Sequence, residues 1–449
     1  MNFTDTIAAL ATPPGAGGLA VIRVSGNDAF KIVQPHFRKN LAELPTHTIH
    51  AGSFFDPNEI IDEVVVALFK NKKSFTREDS IEISCHGSPF IARQILQALI
   101  HSGARPAEPG EFTKRAYLNG RFDLAQAEAV ADLIHAETDA ARRTAFSQMR
   151  GGFSKELKKL RQMLIDFAAL IELELDFSEE DAEFASREKL LELVGVLQDS
   201  VGELLSSYRA GNVIKEGVSV VIAGQPNTGK STLLNALLNE EKAIVSDIAG
   251  TTRDSVEDVI TLNGLRFRFI DTAGLRHATD PIETIGVART KEKMKQAQLI
   301  LYLFDLTTAD VRLIEKEKKM LEENDIPFLL IGNKIDLAPE RKETEPMIFI
   351  SAKNKLHIEE LKAKIISLFQ MPKIKHSDAI VTNLRHYQQL NQAHQALQKI
   401  SVGIEQRLSA DLLAAEINHA LHSLAYITGE AITSDTVLES IFSRFCIGK

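Results

Sequence analysis

The sequence predicts a multi-domain chain of α/β and α class: an N-terminal α/β domain, a helical domain, and a doubly wound α/β domain inserted into the helical one. Three observations carry this. Short apolar runs alternate with helical ones up to about Arg121; glycine and proline become rare, and apolar residues recur at three and four, from Phe122 to about Ala210; from Gly217, strands nearly continuous in apolar residues alternate with helices. At 449 residues the chain is too long for one hydrophobic core, and about three domains fit its length.

In the first segment "TIAAL", "LAVIRV", "HTIHAGSFF", "EVVVALF" and "SIEISC" read as strands, and "PFIARQILQALIHSG" as a helix. The helical segment follows in "LAQAEAVADLIHAETDAARRTAF", "LKKLRQMLIDFAALIELELDF" and "REKLLELVGVLQDSVGELLSSY", amphipathic stretches long enough to pack side by side. Helical periodicity returns after "FQMPKIKHSD". The expected divisions are therefore 1–121, 122–216, 217–372 and 373–449, with the second and fourth forming one helical domain around the third.

Composition narrows the function classes. No apolar run reaches the roughly 18 residues that span a bilayer, and the N-terminus lacks the basic flank of a secretory signal, which predicts a soluble cytoplasmic protein without membrane contact. Two cysteines, Cys85 and Cys446, make no disulfide framework and fit a reducing compartment. The net charge of −9 repels polyphosphate, so nucleic acid would be met through a local patch or a basic partner.

The inserted domain carries the most specific signal. "GQPNTGKST" follows a strand and opens the helical "STLLNALLN", the context a phosphate-binding loop requires. Its amides can surround phosphates, Lys230 can reach the terminal ones, and the Ser231 hydroxyl can ligate Mg²⁺. "DTAG" ends the second apolar strand, placing Asp271 by the metal shell and the Gly274 amide by the γ-phosphate. "NKID" ends another, where the Asp336 carboxylate can accept from the ring N–H and the exocyclic amine of guanine, a pair adenine does not present. "SAK" adds a base-side contact. Each motif alone could be a strand-end turn; jointly they resemble the translation-factor-related GTPases over Gly217 to Gln370, with a Ras-like P-loop fold. The candidate nucleotide contacts are Asn227, Thr228, Gly229, Lys230, Ser231 and Thr232 of the loop, Asp271, Thr272, Ala273 and Gly274, then Asn333, Lys334 and Asp336, and Ser351, Ala352 and Lys353. The first switch, "SDIAGTTRDSVED", adds Ser246, Asp247, Ile248, Ala249, Gly250, Thr251 and Thr252.

The catalytic detail departs from Ras-like enzymes. Leu275 follows the "DTAG" glycine where they carry a water-orienting glutamine, so another residue must hold the water. Asp280 and Glu283 lie in the second switch; either could do so, and either could be a solvated loop carboxylate. Arg253 could swing in or form a salt bridge. Asn227, with first-switch carbonyls, could bind a monovalent cation that supplies the charge an arginine finger otherwise brings.

With "GQPNTGKST", "IAGTTRD", "DTAGLR" and the terminal "CIGK" in one chain, the sequence resembles the MnmE (TrmE) family of tRNA-modification GTPases over essentially its whole length, including "ATPPGAGGLAVIRVSG" and "RPAEPGEFTKRAYLNGRFDLAQAEAVADLI". The resemblance implies a homodimer whose N-terminal domain binds a one-carbon tetrahydrofolate (5-formyl or 5,10-methylene), and a potassium-dependent G domain that dimerises across its nucleotides. It also implies that, with the flavoprotein MnmG, the protein installs an aminomethyl-type group on C5 of the wobble uridine of certain tRNAs. Carried over, the potassium site falls on Asn227, Ser246, Ile248 and Thr251; magnesium on Ser231 and Thr252; the catalytic acid on Glu283; and the folate contacts on Arg23, Glu82, Arg121 and Lys449. A departure is Ser88 in "ISCHGSP", where the family more often has a second glycine.

The tail "RFCIGK" reads as a plug that holds Cys446 and Lys449 beside the folate. Cys446 could be a nucleophile activated by positive charge, or a small apolar filler. A different class of function, a regulatory GTPase switch in RNA or ribosome maturation, would favour basic flanks, and the acidic composition speaks against it.

Overall fold

Alternation of apolar and polar residues sets the N-terminal sheet, because successive strand residues face opposite sides. The computed structural model describes residues 5–57, 59–176, 187–239, 258–270, 294–295, 297–323, 326–340, 347–369, 379–432, 435–443 and 445–448. They divide into two compact units, one drawn from 1–135, 144–205 and 384–449, the other from 136–143 and 206–383.

The first unit opens with β1 (Ile7–Leu10), β2 (Leu19–Ser25), the short α1 (Ala29–Val33), β3 (Thr48–Asp56), β4 (Glu59–Phe69), β5 (Ser80–His86), α2 (Pro89–His101) and β6 (Arg105–Pro106). The sheet order is β3-β4-β5-β2-β1-β6; β6 runs parallel to β1 and the other neighbours are antiparallel. Ile22, Val24, Ile81, Ile83, Val66 and Leu68 bury one face against Ile95 and Leu99 of α2. A fully buried aliphatic side chain contributes about 1.5–3 kcal/mol, so this face anchors the domain. Arg23 and Glu82, partners in the β2–β5 register, alternate with those residues and lie on the opposite face.

Helix α3 (Glu111–Leu118) closes over that second face, with Phe112 packed on Ile7 and Ala9. Its Arg115 is fully buried, 2.7 Å from Asp5, 3.0 Å from Glu111 and 3.3 Å from Glu78, while Arg105 pairs with Glu111 at 2.6 Å and with Asp5 at 2.8 Å. Burial alone would raise the Glu111 carboxyl, but the two guanidiniums and the Glu108 amide hold it below its ordinary value. Breaking a buried pair by removing one partner costs about 3–5 kcal/mol. The ion web therefore ties α3 to the N-terminal segment at Asp5 and to Glu78 before β5.

Helices α4 (Leu124–Ile134), α5 (Asp139–Met149), α6 (Gly152–Asp176) and α7 (Arg187–Glu216) come next. Asp123 starts α4 with a capping box: its side chain accepts from the Gln126 amide, and the Gln126 side chain accepts from the Asp123 amide.

The second unit holds β7 (Val218–Gly224), α8 (Lys230–Asn239), β8 (Asp258–Leu262), β9 (Leu265–Phe269), β10 (Leu299–Asp305), α9 (Val311–Glu322), β11 (Phe328–Asn333), β12 (Met347–Phe349) and α10 (Ile358–Leu368). Its sheet order is β12-β11-β10-β7-β9-β8. All neighbours are parallel except β8, which pairs antiparallel with β9 through an Asn263-Gly264 turn with both φ values positive, at 48° and 79°. Buried residues lie on both faces of β7 and β10, as a doubly wound sheet requires.

The chain closes the first unit with α11 (Leu384–Glu405), α12 (Ala410–Thr428) and α13 (Asp435–Phe442). Arg385 and His386 of α11 reach Glu128 of α4 at 2.9 and 2.7 Å, and the His386 ring stacks on Phe153 of α6. One buried carboxylate thus ties helices that precede the insertion to one that follows it.

Candidate functional site

The phosphate loop runs from the last residue of β7 to the first of α8, Gly224 to Lys230, and turns at Asn227 (φ +60°) and Gly229 (φ +95°). A Cβ on Gly229 would stand 2.3 Å from Asn333 Nδ2, so glycine is required both by the backbone and by the close approach of the neighbouring strand end. Lys230 donates to the Gly224 and Gln225 carbonyls at 3.0 and 2.8 Å, and the Thr228 hydroxyl to the Gln225 carbonyl at 2.9 Å. Asn227 is exposed, Ser231 half-buried and Thr232 exposed.

Asn333, at the end of β11, joins three motifs. Its Nδ2 donates to the Thr228 carbonyl at 2.8 Å, and its Oδ1 accepts from the Lys334 and Ala352 amides at 2.9 and 3.0 Å. The phosphate loop, "NKID" and "SAK" are therefore one hydrogen-bonded assembly. Lys334 takes left-handed φ (+69°) and pairs with Asp305 at 2.6 Å; burial would raise the Asp305 carboxyl, but that ammonium and Thr307 keep it below its usual range. Asp336 sits half-buried in the 3₁₀ turn Ile335–Leu337, Lys353 is exposed, and Ser351 is buried in a turn closed by two bonds with Leu356. Ser246 to Thr252, Asp271 to Gly274, Leu275, Asp280, Glu283 and Lys449 lie outside the described residues. Among the described residues no group of three His, Cys, Asp or Glu could hold a metal.

The first unit brings Arg23, Glu82 and Arg121 together around one cavity of about 220 Å³. Arg23 Nη2 meets Glu82 at 2.8 Å, so Glu82 is an engaged, half-buried acid. Lys73 adds a cation, Thr76 and Ser80 add hydroxyls, and Phe69 and Phe75 supply rings. The Arg23 and Arg121 guanidiniums both lie over Phe75, at 5.6 and 5.3 Å from its centroid, which spaces the two charges. Hydroxyls, aromatic faces and cations with one acid suit a planar heterocycle that carries donors and an anionic extension.

The comparisons with known proteins can now be set against these two sites. The TrmE N-terminal domain profile (GTP-binding protein TrmE N-terminus) matches residues 6–121, and the MnmE helical domain profile matches 124–446. The chain belongs to the MnmE family of tRNA modification GTPases. It is 53% identical to the tRNA modification GTPase MnmE of Cytophaga hutchinsonii, covering 100% of this chain and 98% of that one. With the protein of the same description from Christiangramia forsetii it shares 50%, covering 100% of both. Among solved structures, the G domain of FeoB from Methanococcus jannaschii covers 34% of this chain and 98% of that chain at 26% identity, with a TM-score of 0.25, and adds nothing to the fold described above. The chain is thus a GTP hydrolase of this family.

In this MnmE-family chain the tail meets the folate-candidate cavity through its backbone. Phe442 and Phe445 pack against Leu124 and Ala127, the Cys446 carbonyl accepts from the Gly110 amide at 3.3 Å, and the Gly448 carbonyl accepts from Arg23 at 3.2 Å. Gly448 has φ +87°, and a Cβ there would stand 2.4 Å from the Leu10 carbonyl, so the tail can dock only with glycine at that position. Cys446 itself is exposed and is not among the cavity-lining residues. Cys85 is the inert thiol: burial, then Asp62, push it up to about 11.

Sequence reasoning missed features of two kinds, one without a local signal and one with it. The buried Arg115 web had no signal beyond scattered charges, whereas the β8–β9 hairpin was signalled by "NG" between alternating residues. Ser88, the departure from the family pattern, is the N-cap of α2 with φ −82°; the close approach falls on Gly87, where a Cβ would stand 2.2 Å from the Gly17 carbonyl.

Proposed function

We propose that this protein is a homodimeric, potassium-dependent GTP hydrolase which, with the flavoprotein MnmG, modifies C5 of the wobble uridine of certain tRNAs in the cytoplasm, using a one-carbon tetrahydrofolate. The observation that carries the folate half is the meeting of Arg23, Glu82 and Arg121 around one cavity with the docked tail on Arg23. Glu82 accepts the amidine edge of the heterocycle, and the guanidiniums take glutamyl carboxylates.

In the G domain the loop amides and Lys230 bind the phosphates and Asp336 selects guanine. Ser231 and Thr252 would hold Mg²⁺, and Asn227, Ser246, Ile248 and Thr251 would hold K⁺, which supply positive charge where the transferring phosphoryl group gains negative charge. Glu283 positions the attacking water in place of the glutamine that Leu275 replaces. No helix among the described residues is long and apolar enough to span a bilayer.

Nucleoside mass spectrometry of tRNA from cells lacking the protein tests this reading. Loss of the C5-substituted wobble uridine is expected. An unchanged profile would leave a regulatory GTPase switch as the function.

A further inference from the structure

A second cavity, of about 370 Å³, shares Arg121 with the first and is bounded by the end of α3, the start of α4, Lys158 on α6 and the turn after α12. Most of its polar groups are already engaged. The Tyr117 hydroxyl donates to the Gly429 carbonyl at 2.9 Å, Asp123 and Gln126 are held in the capping box, and Glu430 pairs with Arg161 at 3.0 Å. Arg121 and Lys158 are the exceptions: among the described residues neither side chain has a carboxylate partner, and the Arg121 guanidinium donates to the Ser74 carbonyl.

Arg77 adds a third cation at the shared edge. It donates to the Asn119 carbonyl, and its Nη1 would lie 3.5 Å from a Cβ on Gly120. Burial and then the Arg77 charge disfavour the charged form of Arg121, so two guanidiniums are held near one another against their repulsion. Against Arg121, Lys158 and the neighbouring Arg77, the cavity sets two carboxylates, Asp123 in the capping box and Glu430 already paired with Arg161, which leaves an excess of positive charge where an anion would be favoured.

The first cavity is smaller than the roughly 300–1,000 Å³ typical of sites that enclose a drug-sized ligand. A heterocycle would fill a space of that size, and Arg121, which lines both cavities, stands where the rest of such a ligand could pass from one to the other. We propose that the second cavity is a subsite for a γ-linked oligoglutamyl tail, with the first glutamyl carboxylates at Arg121 and later ones at Lys158. This rests on the folate reading above and adds to it a preference for oligoglutamylated over monoglutamylated folate. Each added glutamate brings one carboxylate, and exposed ion pairs are individually modest, so two more should tighten binding about three- to tenfold.

Calorimetric titration of the full chain with 5-formyltetrahydrofolate bearing one glutamate, and with the same folate bearing three, tests the subsite. Tighter binding of the triglutamate is expected, with the preference shrinking in salt. Lys158→Glu should collapse the ratio of the two affinities toward one, and Lys158→Arg should restore it. Because Lys158 is exposed on α6, both variants are expected to fold, which their melting curves would check. Equal affinities in the parent would overturn the subsite while leaving the folate reading intact. A preference that survives Lys158→Glu would overturn its placement, and binding of neither folate would overturn both readings.

Discussion

Asn333 donates to the carbonyl of Thr228 at 2.8 Å, so the strand end that carries "NKID" is bonded directly to the phosphate loop. The same side chain accepts from Ala352, and both ends of the amide are buried. The phosphate loop, "NKID" and "SAK" therefore share one residue.

Asn333→Ala leaves the Thr228 carbonyl and the Ala352 amide without their partner. Buried groups stripped of a hydrogen bond cost about 1–3 kcal/mol each, about 2–6 kcal/mol for the two, which loosens the loop before nucleotide arrives; restoring its geometry on binding should cost GTP affinity about tenfold or more. Fluorescent-nucleotide titration reads it directly. A loss below about threefold would detach this bridge from nucleotide binding.

Asn227 is exposed at the left-handed turn of the phosphate loop, which leaves its side chain open to the monovalent cation proposed above. Hydrolysis in K⁺ should exceed that in Na⁺ at equal ionic strength by about tenfold or more, the scale of one lost transition-state charge contact. Asn227→Ala should abolish the difference. Equal rates in both salts would remove the monovalent-cation proposal.

Glu128 predicts an acid limb in stability. Burial alone would raise its carboxyl, but His386 and Arg385 outweigh that and lower it from 4.5 to about 2. A depressed folded-state pKa stabilises the protein above the unfolded value, and that contribution is lost as pH falls from about 4.5 toward 2. The melting-temperature gap between parent and Glu128→Gln should be widest near neutrality and close through that window. A gap independent of pH would place the effect in packing.

The fold class and the nucleotide motifs were legible because each rests on local order: strand periodicity, and glycines and a lysine at fixed spacing. The pairing of Arg23 with Glu82 was less visible, since it depends on the β2–β5 register, which brings together residues 59 apart. The β8–β9 hairpin announced itself through Asn263-Gly264 but was hidden among longer apolar runs. The Arg115 web and the Glu128 pair could not be read at all. They join charges more than 100 and 250 residues apart in sequence, and isolated charges on a chain are usually solvated.

The last prediction concerns the docked tail. Arg23 is held on one side by Glu82 and on the other by the Gly448 carbonyl, so the tail completes the setting of a cavity residue through its backbone. Deleting residues 446–449 removes that carbonyl but keeps Phe442 and Phe445, whose packing on α4 should preserve the fold. Folate affinity should fall about tenfold or more, with tRNA modification lost, while GTP affinity stays within about twofold because the phosphate loop belongs to the other unit. Cys446→Ser separates backbone from sulfur. The serine keeps the Cys446 carbonyl on Gly110, so folate binding should persist; modification lost alongside would assign the exposed thiol a chemical role. If both survive in Cys446→Ser while the deletion loses both, the tail acts through Gly448 and Arg23 alone, and its thiol is incidental. Folate affinity unchanged by the deletion would instead mean that Arg23 needs nothing from the tail.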